Sequence, residues 1–333
     1  MSAFHPPTLA NMKAIRVHSP GGPEVLRVDD VPDRSAGPGE AVVRLEAIGV
    51  NFIELYQRMG LYPVPVPFTP GGEGAGTVVA VGPGVTDVRI GDRVASQDLR
   101  GAYAELSVAA ADRLVPLPDA IDAHTGAAAM LQGMTAHYLA TSTWPLEPGQ
   151  RCLVHAAAGG VGLLLVQIAK KRGAFVIGTA GSDEKAALAR EAGADEVIFY
   201  TRTDFAAEVQ RLTGGRGIQV DYDSVGRTTF EKGLDLIAPR GMMVLYGQSS
   251  GPVEAFNPQI LSTKGSLFVT RPNLMHYTAS RAELLERAGD VLGWVADGSL
   301  KLRIDRELPL AGAADAQRAL ESRGTTGKLL LVP

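Results

Sequence analysis

The chain has 333 residues, of which 45% are hydrophobic and 20% charged, with a formal net charge of −4 and a pI of about 5.9. This length and composition are typical of a folded protein with two domains, and they exclude a disordered chain. The slight excess of acidic residues argues against a nucleic-acid surface that depends on bulk positive charge.

The single cysteine, Cys152, excludes an intramolecular disulfide and a zinc site made of several thiolates. The first residues lack the basic and apolar regions of a secretory signal. The longest apolar run, from Ala156 to Ala169, is too short to span a bilayer and is interrupted by glycines. We therefore expect a cytoplasmic protein that does not cross a membrane.

Up to about residue 125, short apolar runs of strand length alternate with glycine and proline turns, which predicts a mostly β region. The predicted strands are MKAIRVH, GEAVVRLEAIGVN, GAGTVVAVG and DRVAS.

From about residue 150, apolar runs and amphipathic helices alternate along the chain. The predicted strands are RCLVHA, AFVIGTA, DEVIFY, IQVDYDSV, MMVLYG and SLFVT. Helices are predicted in VGLLLVQIAKKR, DEKAALAREAG, TDFAAEVQRLTG and from about Arg227 to Leu236. This order is typical of an α/β fold with a doubly wound parallel sheet of six strands.

After about residue 275, a long helix (RAELLERAGDVLGWVADG) precedes two more strands, KLRIDRELPL and GKLLLVP. Two added strands suit a mostly β unit better than the edge of a complete parallel sheet. We predict a first domain over residues 1–130, a nucleotide-binding domain over 131–272, and a return to the first domain over 273–333.

The stretch AAGGVG follows the first strand of the predicted parallel sheet, where such sheets bind dinucleotides. Gly159 would let the backbone approach a pyrophosphate at the helix N-terminus, and Gly162 would allow helix and strand to pack closely. Ala157 replaces the usual first glycine, so the turn must not need a positive φ there. A tight turn without a ligand is the alternative, but the surrounding strands and helices favour a nucleotide site. The candidate contacts are Ala158, Gly159, Gly160, Val161 and Gly162.

The second strand of this sheet ends in VIGTAGSDEK, without an acidic residue placed to accept the ribose hydroxyls of NAD. Thr179 and Ser182 are neutral, and Lys185 is suited to a 2′-phosphate. Asp183 and Glu184 weaken this interpretation unless they cap the following helix. The alternative for Lys185 is a solvated surface lysine, but the segment favours NADPH over NADH.

Several segments, taken together, resemble one family along essentially the whole chain. They are HSPGGPEVL, GVNFIELYQRMGLYP, GAYAE, HAAAGGVG, YDSVG, GSLFVTRP and ESRGTTGKLLLVP. They are similar to the zinc-independent quinone oxidoreductases, the zeta-crystallin-like branch of the medium-chain dehydrogenase/reductase superfamily. The resemblance implies a GroES-like β-barrel catalytic domain, a Rossmann domain, NADPH as the hydride donor, and a homodimer often formed through an edge strand, here GSLFVT. It also implies that Lys185, Tyr200 and Arg323 bind the 2′-phosphate.

Zinc-dependent members of the superfamily have a cysteine and a histidine where this chain has Asn51 and Gly72, although Glu73 is retained. The thiolate and imidazole ligands are both replaced, so we expect no catalytic metal. Glu73 is then expected to be structural, and Cys152 to be a core residue.

Without a metal, hydride transfer needs an electron-poor acceptor, such as a quinone or an enone, and a proton source. The family resemblance points to Asn51, Tyr56 and Tyr62 as polar residues that line the substrate cleft. Asn51 is a candidate to bind the nicotinamide ribose or a substrate carbonyl. Tyr62 is the candidate proton donor, since a phenol can protonate an enolate. For Tyr56 the alternative is a packed aromatic ring.

Other candidate cofactor contacts are spread over the second half of the chain. Thr135 is expected to begin a helix near the domain junction and to reach the cofactor. Ser224, Gly247, Phe268 and Val269 are expected to follow or end strands on the ligand side, with ordinary turn chemistry as the alternative.

Three functions fit these observations. An NADPH-dependent quinone reductase is favoured, and an alkenal or enone reductase shares the same scaffold. A protein of another class, which binds NADPH or RNA with little turnover as crystallins can, is disfavoured by the tyrosines and the acidic balance. In either enzyme the partner is a small molecule.

Overall fold

The computed structural model describes residues 11–333, which form two compact units. The first unit comprises the chain up to Leu131 together with Ile304–Pro333, and the second comprises Gln132–Arg303. The expectation that the N-terminus carries no export signal falls largely on residues 1–10, which lie outside the described residues.

The strands are β1 (Asn11–Val17), β2 (Leu26–Pro32), β3 (Glu40–Val50), β4 (Gly74–Val81), β5 (Arg93–Ser96), β6 (Leu106–Ala110), β7 (Val115–Pro116), β8 (Arg151–Val154), β9 (Phe175–Ala180), β10 (Glu196–Phe199), β11 (Ile218–Asp223), β12 (Ile237–Leu245), β13 (Phe268–Thr270), β14 (Ile304–Pro309) and β15 (Lys328–Val332). The helices are α1 (Phe52–Arg58), α2 (Ala123–Tyr138), α3 (Gly160–Lys171), α4 (Asp183–Glu191), α5 (Phe205–Thr213), α6 (Phe230–Leu234), α7 (Gln259–Thr263), α8 (Leu274–Tyr277), α9 (Arg281–Ala296) and α10 (Ala313–Glu321). Short 3-10 turns occur at Pro23–Val25, Ala111–Arg113 and Leu310–Gly312, and a π-helical turn follows α2 at Leu139–Thr143.

The first unit is mostly β, as predicted. Seven strands form one sheet, in which β3 pairs with β4 and β6, and β14 and β15 extend the other end beside β3. A separate two-stranded sheet joins β1 and β2. Apolar side chains from these strands form one core with residues of α10. The last two strands, β14 and β15, thus belong to the first unit.

The second unit contains the predicted six-stranded parallel sheet, with strand order β10-β9-β8-β11-β12-β13. The order reverses beside β8, so β8 and β11 are neighbours at the centre and α3 follows β8 directly. The carboxyl ends of central strands at such a reversal are where doubly wound sheets bind ligands. The sheet therefore places the AAGGVG turn at the expected edge.

The boundary after the second unit differs from the predicted one, because residues 273–303 belong to the second unit. Local packing explains the difference. Tyr277 stacks on Tyr138 with ring centroids 4.2 Å apart, and Asp290 hydrogen-bonds the ring of His137 at 3.0 Å. The last turns of α2 thus hold α8 and α9, and the chain reaches the first unit only at β14.

Within residues 11–333, no helix is both long enough and apolar enough to cross a membrane.

Candidate functional site

The turn between β8 and α3 is held by the neighbouring strand β9. The Ala157 N–H donates to the Thr179 carbonyl at 3.0 Å, and the Ala156 N–H donates to the Thr179 hydroxyl at 3.2 Å. The positive φ of the turn, 52°, falls on Ala156 and not on Ala157. This explains how alanine replaces the first glycine, as the sequence required.

Each glycine of the turn has a distinct surrounding. A Cβ added to Gly162 would overlap the carbonyl oxygen of Ala156, so only glycine lets α3 pack this closely on the strand. At Gly159, the nearest atom to an added Cβ is the same oxygen at 3.2 Å. Gly159 is the N-cap of α3 and offers no side chain to the first-turn N–H groups. These groups, with the helix dipole, fit a pyrophosphate.

The corner after β9 brings together Ser182, Lys185 and Tyr200, of which Lys185 and Tyr200 are predicted to bind a 2′-phosphate. Ser182 caps α4 by accepting the Lys185 N–H at 3.3 Å. The Tyr200 hydroxyl lies over Gly181, 2.5 Å from where a Cβ would stand, and Tyr200 is 49% exposed. The absence of a side chain at Gly181 therefore gives Tyr200 its position beside the loop that precedes Lys185.

Asp183, one of the two acidic residues that weaken the NADPH interpretation, is paired with an arginine. Arg202 forms a two-pronged ion pair with its carboxylate, at 2.5 and 3.1 Å, and lies over the Phe199 ring. The hydrogen bond and charge of Arg202 lower the pKa of Asp183. Asp183 also belongs to the first turn of α4, where a carboxylate is favourable. Its negative charge is thus locally compensated.

The carboxyl ends of β11, β12 and β13 carry the remaining strand-end candidates. The Ser249 N–H donates to the Ser224 carbonyl at 3.1 Å, and Gly247 approaches the same carbonyl so closely that a Cβ would stand 2.6 Å from it. Phe268 and Val269 lie in β13 opposite Met242 and Met243, and Phe268 is exposed. The structure therefore brings Ser224 and Gly247 together. Phe268 and Val269 lie farther along, on the edge strand.

The expectation that Thr135 begins a helix is wrong. Helix α2 begins at Ala123, and Thr135 lies in its last turn with a buried side chain. The run AHTGAAAMLQG, rich in alanine, continues the helix through the glycines, so the sequence has no break before Thr135.

In the first unit, Asn51 belongs to a buried polar cluster and not to an open surface. Its side-chain amide donates to Glu73 at 2.8 Å and accepts from the Lys328 ammonium at 2.7 Å. Lys328 also pairs directly with the Glu73 carboxylate, whose other oxygen accepts the Leu131 N–H at 2.6 Å. Lys328 and Glu73 are 1% and 0% exposed, so this is a fully desolvated ion pair. The expectation that Glu73 is structural fits this geometry.

Helix α1 begins at this cluster. Asn51 is its N-cap, and the Asn51 N–H donates to a side-chain oxygen of Glu54 at 2.5 Å. Glu54 is 1% exposed, and burial raises its pKa to about 8, against the lowering effect of the Lys328 charge. At neutral pH Glu54 therefore retains its proton.

The two predicted catalytic tyrosines lie together, Tyr56 within α1 and Tyr62 shortly after its end. The rings of Tyr56 and Tyr62 meet edge to face with centroids 5.4 Å apart, and the Tyr62 N–H donates to the Tyr56 carbonyl at 3.1 Å. Tyr62 is 38% exposed, so its phenol is accessible. Arg323, predicted to bind the phosphate, also belongs to the first unit, where it is exposed and has a φ of 55°.

The positions that carry zinc ligands in other superfamily members hold a different donor set here. The side chains of Asn51 and Glu73 both bind the ammonium group of Lys328, and Gly72 has no side chain. Among residues 11–333, no group of three or more His, Cys, Asp or Glu side chains could hold a metal ion. Cys152 is buried in β8, where burial raises the pKa of its thiol to about 12, which fits the expected core role.

Three residues of these sites were not anticipated from the sequence: Lys328, Glu54 and Arg202. Lys328 follows a glycine at the start of a strand and gives no local signal of its partner. Glu54 has a usable signal, since it stands three residues after Asn51 in a capping-box pattern. Arg202 has a weaker one, because a single charge in a loop has many possible partners.

Two family descriptions match the chain. The alcohol dehydrogenase GroES-like domain matches residues 37–119, and the zinc-binding dehydrogenase family matches residues 160–285. The two matches fall in the first and second units respectively.

Full-length relatives give a more specific result. A quinone oxidoreductase of Pseudomonas aeruginosa is 48% identical over 96% of this chain and 99% of its own. A 2-haloacrylate reductase of a Burkholderia species is 41% identical over 95% of this chain and 98% of its own. The structure of Escherichia coli quinone oxidoreductase in complex with NADPH is 43% identical, covers 96% of this chain and 100% of its own, and superposes with a TM-score of 0.94.

Proposed function

Because the chain belongs to the quinone oxidoreductase family of the medium-chain dehydrogenase/reductase superfamily, we propose that it uses NADPH to reduce quinones. The observation that carries this function is the full-length similarity to quinone oxidoreductases, one of which is solved with NADPH. The β8–α3 turn and the corner around Lys185 supply the groups that such a cofactor needs.

The fit to NADPH can be judged group by group. The first-turn N–H groups of α3 would hold the pyrophosphate, and Gly159 leaves room for it. Lys185, Ser182 and Tyr200 would hold the 2′-phosphate. Arg202 compensates the charge of Asp183, which removes one of the two carboxylates at this corner as a source of repulsion. The other, Glu184, is exposed to solvent.

When bound, NADPH supplies a hydride to the acceptor. The chain's own residues hold the cofactor and provide a proton for the reduced product. Tyr62 is exposed and its ring packs against Tyr56, and we assign it as the proton donor to an enolate. Asn51 has both ends of its amide engaged by Glu73 and Lys328, which favours a role in fixing the start of α1 over direct contact with substrate.

The side chains at the positions of the zinc ligands favour a reaction without a metal. The ammonium of Lys328 already satisfies Asn51 and Glu73, and a second cation beside it would be repelled. An acceptor must then be electron-poor by itself, as quinones and conjugated alkenes are.

A second candidate function is the reduction of conjugated alkenes. The observation in its favour is the similarity to a 2-haloacrylate reductase, which is named for an electron-poor alkene. Both reactions need the same donor and differ in how far they depend on a protein acid.

The test is steady-state oxidation of NADPH with a panel of acceptors: 1,4-benzoquinone, a naphthoquinone, an alkenal and 2-chloroacrylate. We expect the highest kcat/KM with a quinone. A higher value with 2-chloroacrylate would favour the alkene function. Failure of every acceptor to accelerate NADPH oxidation would favour the binding-protein alternative.

We further propose a cytoplasmic homodimer. The edge strand β13 exposes Phe268 (55% exposed), and an unpaired edge can add a strand from a second copy. Light scattering after gel filtration should give twice the chain mass. The variant Phe268→Lys, which places a charge on this exposed edge, should shift the mass toward one chain. A monomeric wild type would contradict the proposal.

A further inference from the structure

Two buried titratable side chains lie beneath the dinucleotide turn and take no part in the function proposed above. Asp221 lies in β11 and His155 directly follows β8, and they are 0% and 2% exposed. The Asp221 Oδ1 and His155 Nε2 atoms are 3.7 Å apart. Among the described residues, neither carboxyl oxygen of Asp221 nor the Nε2 atom of His155 has a hydrogen-bond partner. Three polar atoms without partners therefore meet in one buried place.

Among the described residues, the charge that acts on both members of this pair is that of Asp223. Its carboxylate accepts the Val225 and Gly226 N–H groups at 2.6 and 3.0 Å and the Thr229 hydroxyl at 2.8 Å. The Phe205 ring meets the His155 imidazole edge to face at 4.9 Å. On the other side, Gly233 leaves just enough room for the Asp221 carboxyl.

In such surroundings the neutral forms of both groups are favoured. Burial, reinforced by the negative charge of Asp223, raises the pKa of Asp221 well above its ordinary value. Burial lowers the pKa of His155. A protonated carboxyl can donate to a neutral imidazole nitrogen, and no other hydrogen bond holds either oxygen of Asp221 away from His155.

We propose that Asp221 and His155 form a neutral hydrogen-bonded pair, in which protonated Asp221 donates to His155 Nε2, and that this pair positions the dinucleotide turn. Nε2 is then the acceptor, so the ring carries its proton on Nδ1. The Nδ1–H faces the Thr179 hydroxyl at 3.2 Å and donates to it.

Thr179 links the pair to the turn. Its hydroxyl also accepts the N–H of Ala156, the residue with the left-handed conformation, and its carbonyl accepts the N–H of Ala157. Fixing the His155 ring therefore fixes the oxygen that holds the strained residue of the turn. His155 and Asp221 are positioning residues, and this role rests on the proposed binding of NADPH.

The variants Asp221→Asn and Asp221→Leu distinguish this arrangement from an ion pair. An asparagine side chain donates to Nε2 as a protonated aspartic acid does, whereas leucine keeps a similar volume and donates nothing. We expect the NADPH Kd of Asp221→Asn to stay within about twofold of the wild type. That of Asp221→Leu should rise about fivefold, the worth of one hydrogen bond. Cys152→Ala, another buried change in the same sheet, should lower the unfolding temperature without raising the Kd.

The state of the ring is measured directly by 15N NMR of histidine-labelled protein, with Asp221→Asn as the second sample. We expect a neutral ring with its proton on Nδ1, unchanged from about pH 6 to 8. An imidazolium signal in that range, or an Asp221→Asn Kd raised as much as that of Asp221→Leu, would overturn the proposal, as would an unchanged Kd in Asp221→Leu. If the wild type failed to bind NADPH, the proposed function would fail instead, and the ring spectrum would still decide where the proton lies.

Discussion

The candidate sites of the two units are built in different ways. The turn of the second unit is made of backbone atoms and small residues, and its key contact joins residues 23 positions apart, Ala156 and Thr179. The cluster of the first unit is made of charged side chains, and Lys328 reaches Asn51 across 277 positions. The turn of the second unit should therefore be sensitive to added side-chain atoms. The cluster of the first unit should be sensitive to the loss of either charge of its ion pair.

The largest expected effect is a loss of stability when the buried cation of the first unit is removed. Lys328→Met leaves the Glu73 carboxylate desolvated without its partner, and we expect a loss of about 3–5 kcal/mol in the free energy of unfolding, measured in urea. Lys301→Met, at an exposed position, should change it by less than about 0.5 kcal/mol.

A double variant identifies the cause of that loss. Adding Glu73→Gln to Lys328→Met removes the stranded charge, so the pair should cost less than the sum of the single changes. Simple additivity would mean that the ion pair is not what stabilises the cluster.

The same contrast explains what the sequence could predict. The six strands of the second unit and their helices follow from apolar runs and periodicity, and the nucleotide turn follows from glycine spacing. These signals are local, so the described elements agree with them closely. The wrong prediction that a helix begins at Thr135 shows the limit, since α2 begins at Ala123 and its alanines and glycines mark no boundary before Thr135.

The cluster of the first unit could be predicted only in part. The replacement of zinc ligands at Asn51 and Gly72 was visible, and so was the retained Glu73. The lysine that replaces the metal could not be predicted, because Lys328 approaches Glu73 only when β15 pairs with β3. The domain boundary near residue 303 is similar, since it depends on contacts of α2 with α8 and α9.

The stability of the first unit should also depend on pH, because Glu54 is buried in its cluster. The pKa of Glu54 is about 8 in the folded protein against 4.5 ordinarily, so folding is linked to keeping its proton. That contribution to stability is fully present below pH 4.5 and is lost as the pH rises through 8. Between about pH 6 and 9 the wild type should lose roughly 2–3 kcal/mol more than Glu54→Gln, measured by urea unfolding. Parallel profiles of the two proteins would show that Glu54 is ionised in the fold.

Kinetics of a tyrosine variant test whether Tyr62 donates the proton. Tyr62→Phe removes the phenolic proton and leaves the ring, so we expect kcat on enones to fall about 30-fold, or about 2 kcal/mol. This lies below the usual effect of a general acid because water also reaches a side chain that is 38% exposed. Quinone turnover should change less, since hydroquinone oxygens take protons from water. Tyr56→Phe is the matched control, and equal, negligible losses on both substrates would reject Tyr62 as the donor.

The smallest expected effect concerns the choice between NADPH and NADH. In the second unit this choice is expected to depend on the side chain of Lys185 and not on the backbone of the turn after β8. Lys185→Ala should raise the KM for NADPH about tenfold, or about 1.4 kcal/mol, because one charge-assisted contact to the 2′-phosphate is lost. The KM for NADH should not change, since that cofactor lacks the phosphate. Asp183→Asn should have little effect on either, because Arg202 already compensates the carboxylate. Lys301→Ala serves as the control for a general loss of positive charge. If Lys185→Ala leaves the KM for NADPH unchanged, the phosphate is bound elsewhere, and the corner formed by Ser182 and Tyr200 is an ordinary helix cap beside a surface tyrosine.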